Sequence, residues 1–366
     1  MKKSIAVIAV IICVLITGCA TKTNGAVSYS TVISEDIMNP AVYLGLLKNS
    51  NLIYYQIEDN SAIIYEYDFK KEKGEKIGEI ENYYLDTGTA AAIDDHLYFY
   101  AAIVEDGQIK NRLFDIDLNK KEILQHNEKD NSLAGLTTHA IQNKIITIKN
   151  ERDDDNIMTY FDVFYIENQT WQKYNVNMYN EKNRIGSALS IMCTTENSVY
   201  VIEDIYNDVG DYDSFLIQYD SNMVEIKRIL IEGEMKKFIR EGKGRITELH
   251  IWNDQYIYLK NLSSYGFLGR IKDEGITEIR QEVEFLAANS IYCDDSPLFY
   301  QRREDCFYVF DEKEDQLSTI RLKKRENNTV LMAMTAGKKV AVIIWQEGGV
   351  LREVVNEREN LSEVIL

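Results

Sequence analysis

Carboxylates are the most abundant chemistry-bearing side chains in this sequence, and they gather in short polar stretches. ERDDDN holds Asp153, Asp154 and Asp155, and EDIYNDVGDYDS holds Asp204, Asp208, Asp211 and Asp213. On one rim such groups would create a negative field that concentrates cations or a basic protein partner. The chain is acidic throughout, with 59 Asp and Glu against 41 Lys and Arg, so solubility alone also accounts for acidic loops. NDVGDYDS does not fit the Asp-x-Asp-x-Asp-Gly calcium loop, whose sixth position must be glycine for the turn. The four histidines, His96, His126, His139 and His250, follow no metal-ligand spacing. Neither a Gly-x-Ser-x-Gly elbow nor a Ser-x-x-Lys pair occurs. Gly242-Lys243-Gly244 lacks the spacing and the terminal hydroxyl of a phosphate loop. No catalytic residue, metal ligand or cofactor site is assigned from these residues. Nucleic acid is disfavoured as a partner at a formal net charge of −18, because phosphate binding demands Lys and Arg.

The elements that would position these residues are strands. Proline is nearly absent at 2, tyrosine is abundant at 24, and Ile, Val, Tyr and Phe alternate with polar residues at period two. A polar turn pair leads into an apolar strand at NSNLIYY, DDHLYFY, QNKIITI, ENSVYVI, NDQYIYL, DDSPLFY and GKKVAVII. The first apolar residues are Leu52, Leu97, Ile145, Val199, Tyr256, Leu298 and Val340, spaced 42 to 57 residues apart. A second strand follows and usually ends on an acid, as at Asp68, Asp117, Glu167, Asp220 and Asp311. An acid there closes a turn by bonding its side chain to the backbone. A third strand follows (EKIGEI, EILQ, WQKYN, VEIKRIL, ITEIRQ, LSTIRL), and a fourth is expected in each unit.

An all-β fold of about seven four-stranded units is the repeat pattern of a β-propeller. The chain resembles bacterial propellers of the TolB/YncE-like kind in layout and lacks the Trp-Asp dipeptide of WD40 repeats. LSEVIL at the end reads as the outer strand of the last unit. SYSTVIS (28–34) is also strand-like and is expected to help close the ring. His139 and His250 fall on inner-strand candidates, where they would face the central channel, while His96 lies in a turn and His126 just after a strand. IEGEMKKFIREGKGR (231–245) is the exception to the strand pattern: Met235, Phe238 and Ile239 give it an apolar side, so a short helix ending near Gly242 is expected. Its basic residues make it a candidate lid or docking element over the acidic rim.

The first twenty-five residues carry a different message. Lys2 and Lys3 precede an apolar run, Ser4 to Ile16, that is shorter than the ~20 residues a spanning helix needs. Small and polar residues follow, the pattern of a removable signal. Ile16-Thr17-Gly18-Cys19 resembles the lipobox of bacterial lipoproteins. That resemblance implies a signal peptide over 1–18, a lipidated Cys19 opening a tether over 19–40, and a propeller domain over 41–366. Two acyl chains anchor stably where one does not. The expected location is the outer side of the cell membrane of a bacterium, most simply a Gram-positive one. The acidic surface argues against lying flat on anionic lipid. Cys193, Cys293 and Cys306 remain after Cys13 and Cys19; an odd number prevents full pairing within the chain, and their apolar surroundings predict buried thiols.

These readings favour a lipid-anchored, non-enzymatic module that binds a ligand or protein. The alternatives are a carbohydrate-active or hydrolytic propeller enzyme, which would show paired acids or a His–acid contact at the channel, and a scaffold for envelope assembly.

Overall fold

The computed structural model describes residues 29–31, 33, 41–126, 137–207, 211–241, 246–263, 265–273, 275–293, 298–302, 304–311, 316–323, 328–346 and 351–363. The stretch read as a signal peptide (1–18), Cys19, Asp208, Lys243 and Arg245 lie outside the described residues. The described chain is all-β apart from one helix, α1 (Gly233–Glu241), and a short 3-10 turn (Arg358–Glu363). Its strands form six sheets: four of four strands, one of five and one of eight. The eight-stranded sheet is two antiparallel runs of four, Lys144–Asp153 lying in one and Ser198–Tyr206 in the other. Among the described residues their only strand pairing with each other sets Tyr179 opposite Gly186 and Asn180 opposite Ile185.

The polar turn pairs do lead into the most deeply buried strands. Leu52, Leu97, Ile145, Val199, Tyr256, Leu298 and Val340 are each at most 2% exposed, so every unit contributes its strongest apolar strand to the packing between neighbouring sheets. The phase of the repeat differs from the expectation by one strand. The fourth strand of each run precedes the turn pair: Val42–Leu46 lies before Leu52–Glu58, and Tyr83–Ile93 before His96–Glu105. The turn pair therefore joins the innermost strand to the second. Periodicity identifies a strand but not which end of its hairpin begins the unit.

Three of the five acids at strand ends act as expected, whereas after Tyr165 it is Asn168, not Glu167, whose side chain accepts a backbone N–H, that of Thr170. Asp68 Oδ1 accepts the N–H of Lys70 at 2.9 Å and of Lys71 at 3.2 Å. Asp117 accepts those of Asn119 and Lys120, and Asp220 those of Asn222 and Val224. Each is a side-chain-to-backbone turn that ends one strand and starts the outer one.

The two termini meet in the five-stranded sheet. Tyr29–Thr31 pairs antiparallel with Leu351–Glu357, with Tyr29 opposite Val355 and Thr31 opposite Glu353. Residues of SYSTVIS thus supply the outer strand there, and the expectation that LSEVIL does so is corrected. Leu361 turns inward in the 3-10 segment and is fully buried, so its apolar side chain seals the sheet's end rather than extending its edge. Fully buried Glu353 accepts from the N–H of Ile33 at 3.1 Å and from the hydroxyl of Tyr43. It ties the terminal strand to the first inner strand across the seam.

The expected helix is present. Met235, Phe238 and Ile239 are at most 3% exposed and join the core beside Phe267 and Leu249, which is why this connection folds as a helix: an apolar stripe at helical spacing found a surface to cover.

Candidate functional site

Alternate turns of an antiparallel run lie at opposite ends of its strands, which gives the molecule two faces. We call the face bearing the turns between first and second strands the floor. The other, bearing the loops between second and third strands, is the loop face. Innermost strands from all the runs line one central cavity of about 210 Å³. Tyr43 and Gly45, Thr89 to Ala91, Thr138 to Ala140, Cys193 and Thr194, Leu249 to Trp252, and Met332 to Thr335 come from successive inner strands.

The floor end of this channel is crossed by a strap. The floor turns of the other runs take two to five residues, whereas the run beginning Phe285–Ala287 spends residues 288–297 before Leu298. Asn289 and Ser290 pair in parallel with Met334 and Thr335. The carbonyl of Ile291 accepts the N–H of Ala92 at 2.7 Å. Its side chain lies against Gly45 so closely that a Cβ there would sit 2.4 Å from Ile291 Cγ2. One segment thus touches inner strands from three other runs, and glycine at position 45 is what admits it. The FLAANSIYC run, read as strand alone, gives no sign of this, because the pairing is parallel and distant in sequence.

The cavity lining carries no Asp, Glu, Lys or Arg among the described residues. Its polar groups are neutral: threonine hydroxyls (Thr89, Thr138, Thr194, Thr335), tyrosines and two histidines. His139 and His250 therefore do face the channel, as expected. Burial first, and His250 second, lower the pKa of His139 to about 4; burial also lowers that of His250. Both are neutral imidazoles at pH 7. Nε2 of His139 and the indole Nε1 of Trp252 are buried and meet no hydrogen-bond partner among the described residues. Trp252 is only 7% exposed. A buried polar atom without a partner costs ~1–3 kcal/mol, so each of these atoms is a place where water or a ligand completes the network; the indole ring itself packs on Tyr256, Phe299 and Phe310 between neighbouring sheets.

No protein-family model matches this sequence, and no curated protein matches it in sequence. Its likeness to solved structures is extensive. An oligogalacturonate lyase in complex with manganese matches 91% of this chain and 94% of its own at TM-score 0.56 and 13% identity. The Vibrio parahaemolyticus oligogalacturonate lyase matches 91% and 97% at TM-score 0.55 and 11% identity. The Dos1 propeller matches 87% and 79% at TM-score 0.53 and 12% identity. This chain is a β-propeller.

The acidic residues expected to form a rim are divided by the propeller. Asp153, Asp154 and Asp155 are exposed at one loop-face turn. Asp211 and Asp213 lie on the same face but are engaged, at 2.9 Å by Arg240 and at 2.8 Å by Lys236 of α1. The basic helix thus sits against the acids. Asp204 is not a rim residue: it points into the sheet, 7% exposed, and accepts from Ser214 Oγ at 2.5 Å. Burial raises its pKa to about 6 despite that bond. Among the described residues, no group of three or more His, Cys, Asp and Glu is arranged to hold a metal ion.

Two further expectations divide. Cys193 and Cys306 are buried, and burial pushes both thiols up. Cys293 is exposed, contrary to expectation, because its stretch belongs to the strap and not to a core strand. His–acid contacts do exist, but in the second run and away from the channel. His96 Nδ1 lies 2.7 Å from Asp115 and His126 Nε2 3.8 Å from it.

Proposed function

We propose that the protein is a lipid-anchored binding propeller on the outer side of a bacterial membrane. Its seven four-stranded blades would seat an uncharged small molecule rich in hydrogen-bond acceptors in the central channel. The observation that carries this reading is the pair of buried nitrogens, Trp252 Nε1 and His139 Nε2, that meet no partner among the described residues, on a lining in which no described residue is charged. Small-molecule sites are mostly apolar concavities with a few convergent polar groups, and a strap that shuts one end makes this one a blind seat. Seven anchors on seven inner hairpins support the blade count. The lipobox-like Ile16–Cys19, the short apolar run and the lysines before it support the anchor and the location. Asp153, Asp154 and Asp155 are the part of the acidic rim left to attract a cation or basic partner.

A carbohydrate-active enzyme is the second reading, favoured by the likeness to the oligogalacturonate lyases and by two histidines at the channel. Against it, an anionic oligogalacturonate would meet no cation among the described lining residues. The manganese of the lyase also fits poorly here: the channel offers two imidazoles and the thiols of Cys193 and Cys293, whereas manganese favours carboxylate, carbonyl and water oxygens.

Indole ¹⁵N NMR on the soluble domain tests the seat. Glucose, galactose, N-acetylglucosamine and maltose are titrated in turn while the three tryptophan Nε1–H signals are followed. The reading expects at least one sugar to shift the Trp252 signal selectively, with no turnover. A flat response to all four, together with release of an unsaturated product from oligogalacturonate, would move the assignment to the enzyme.

A further inference from the structure

We infer that the ring is mounted floor-down, with its strap-closed floor facing an anionic lipid surface and its loop face and channel mouth pointing away. This deepens the proposed anchoring and rests on the reading of Cys19 as a lipid site.

The register of the seam strand sets the direction. Tyr29 lies opposite Val355 and Thr31 opposite Glu353; those residues in turn lie opposite Ala341 and Ile343. The strand holding Ala341 starts at Lys339, directly after the floor turn Gly337–Lys338. Tyr29 is therefore the floor-side end of its strand, and the chain enters the ring from the floor. Nine residues lie between Cys19 and Tyr29, so the chain between them reaches at most about 35 Å. The strand Lys144–Asp153 runs ten residues from floor to loop face, or roughly 33 Å. A tether leaving at the floor would use nearly its whole length before the loop face could meet the bilayer.

Charge gives an independent argument. The floor turns of the first and last runs, which meet at the seam, expose Lys48, Lys70, Lys71, Lys73 and Lys338. Glu72 and Glu359 are exposed beside them, and Asp68 holds Lys71. On the loop face of the first run the tip carries Glu58 and Asp59, and Glu81 is exposed where the chain leaves that face. Lysines beside a lipid tether are drawn to the anionic leaflet over a Debye length, and an acidic face is repelled by it. The whole chain is acidic, yet on the floor beside its tether lysines outnumber carboxylates.

Energy transfer tests this on the full lipidated protein in phosphatidylglycerol-containing vesicles with an acceptor on the lipid headgroup. The exposed thiol of Cys293 takes a donor on the floor. In a Cys293→Ser background, Lys338→Cys gives a second floor position and Asp155→Cys a loop-face one. We expect both floor donors to transfer at least twice as efficiently as the loop-face donor. Lys70→Glu with Lys71→Glu and Lys73→Glu should narrow that difference while the protein still floats with the vesicles. Flotation of the lipidated protein lost in Cys19→Ser confirms the anchor separately; failure of the unsubstituted protein to float would sink the anchored reading and this inference with it. Flotation with equal transfer from both faces, or more from Asp155→Cys, would overturn the floor-down mounting alone.

Discussion

On the loop face, carboxylates are plentiful and two of them are met by cations, Asp211 at 2.9 Å by Arg240 and Asp213 at 2.8 Å by Lys236. In the channel, no lining residue among those described is charged, yet Trp252 Nε1 and His139 Nε2 lack partners among them. The contrast separates two properties that a sequence confuses. Density of charged letters reports what the surface tolerates, whereas a polar atom left unsatisfied in a buried place reports what the molecule still has to bind. Five substitutions sharpen or break that contrast.

The largest effect belongs to the strap that closes the channel. Gly45→Val would drive a branched side chain into Ile291, where even a Cβ meets Cγ2 at 2.4 Å; overpacking of that kind costs about 3 kcal/mol. Urea denaturation should show the loss, and an unchanged midpoint would mean that the strap does not seal the channel floor.

Next comes the channel histidine. The folded pKa of His139 is about 4, below its ordinary value of 6.5, so the unfolded chain binds its proton first. The stability this group contributes is complete above pH 6.5 and is lost as pH falls toward 4, by about 3 kcal/mol. His139→Gln should flatten that part of the pH–stability curve. A curve of unchanged shape would show that the imidazole is not desolvated.

Asp204 provides the opposite sign within the acidic group. Its folded pKa of about 6 lies above the ordinary 3.8, so its burial is a cost present above pH 6 that fades as pH falls to 3.8. Asp204→Asn should therefore stabilise the protein by about 1–2 kcal/mol at pH 8, with the gain shrinking at pH 5. A loss at pH 8 would mark Asp204 as a needed charge after all.

The smallest effect is expected at the helix. Arg240→Ala and Lys236→Ala break half-exposed ion pairs, worth under about 1 kcal/mol each. Thermal denaturation at low and high salt should show small differences that vanish with salt. A loss of several kcal/mol from either would place the helix pairs among the main supports of the loop face.

Much of this architecture was legible in the residues. Apolar alternation after polar turn pairs located the second strand of every run, strand-end acids located turns, and a Met–Phe–Ile stripe located the helix. The placement of His139 and His250 at the channel followed from strand position alone. What escaped depends on partners far along the chain. Nothing local tells that Leu361 caps a sheet instead of extending it, or that Asn289 and Ser290 pair in parallel with the last inner strand. Cys293 was misplaced with them. The unpaired Trp252 nitrogen was equally invisible, since satisfaction of a donor is a property of the assembled ring. Asp204, by contrast, alternates inward at period two between Glu203 and Ile205 no differently from its neighbours, so the pattern gave no reason to separate it from the exposed acids.

The most direct test sets the two regions against each other in one titration. Calorimetric affinity for the sugar that most strongly shifts the Trp252 indole signal is measured on the unsubstituted domain, on Trp252→Phe, and on the combined Asp153→Asn, Asp154→Asn and Asp155→Asn variant. If the channel is the seat, Trp252→Phe weakens binding at least tenfold while the triple variant stays within twofold of the unsubstituted domain. Binding that survives Trp252→Phe and disappears with the three aspartates would contradict the account.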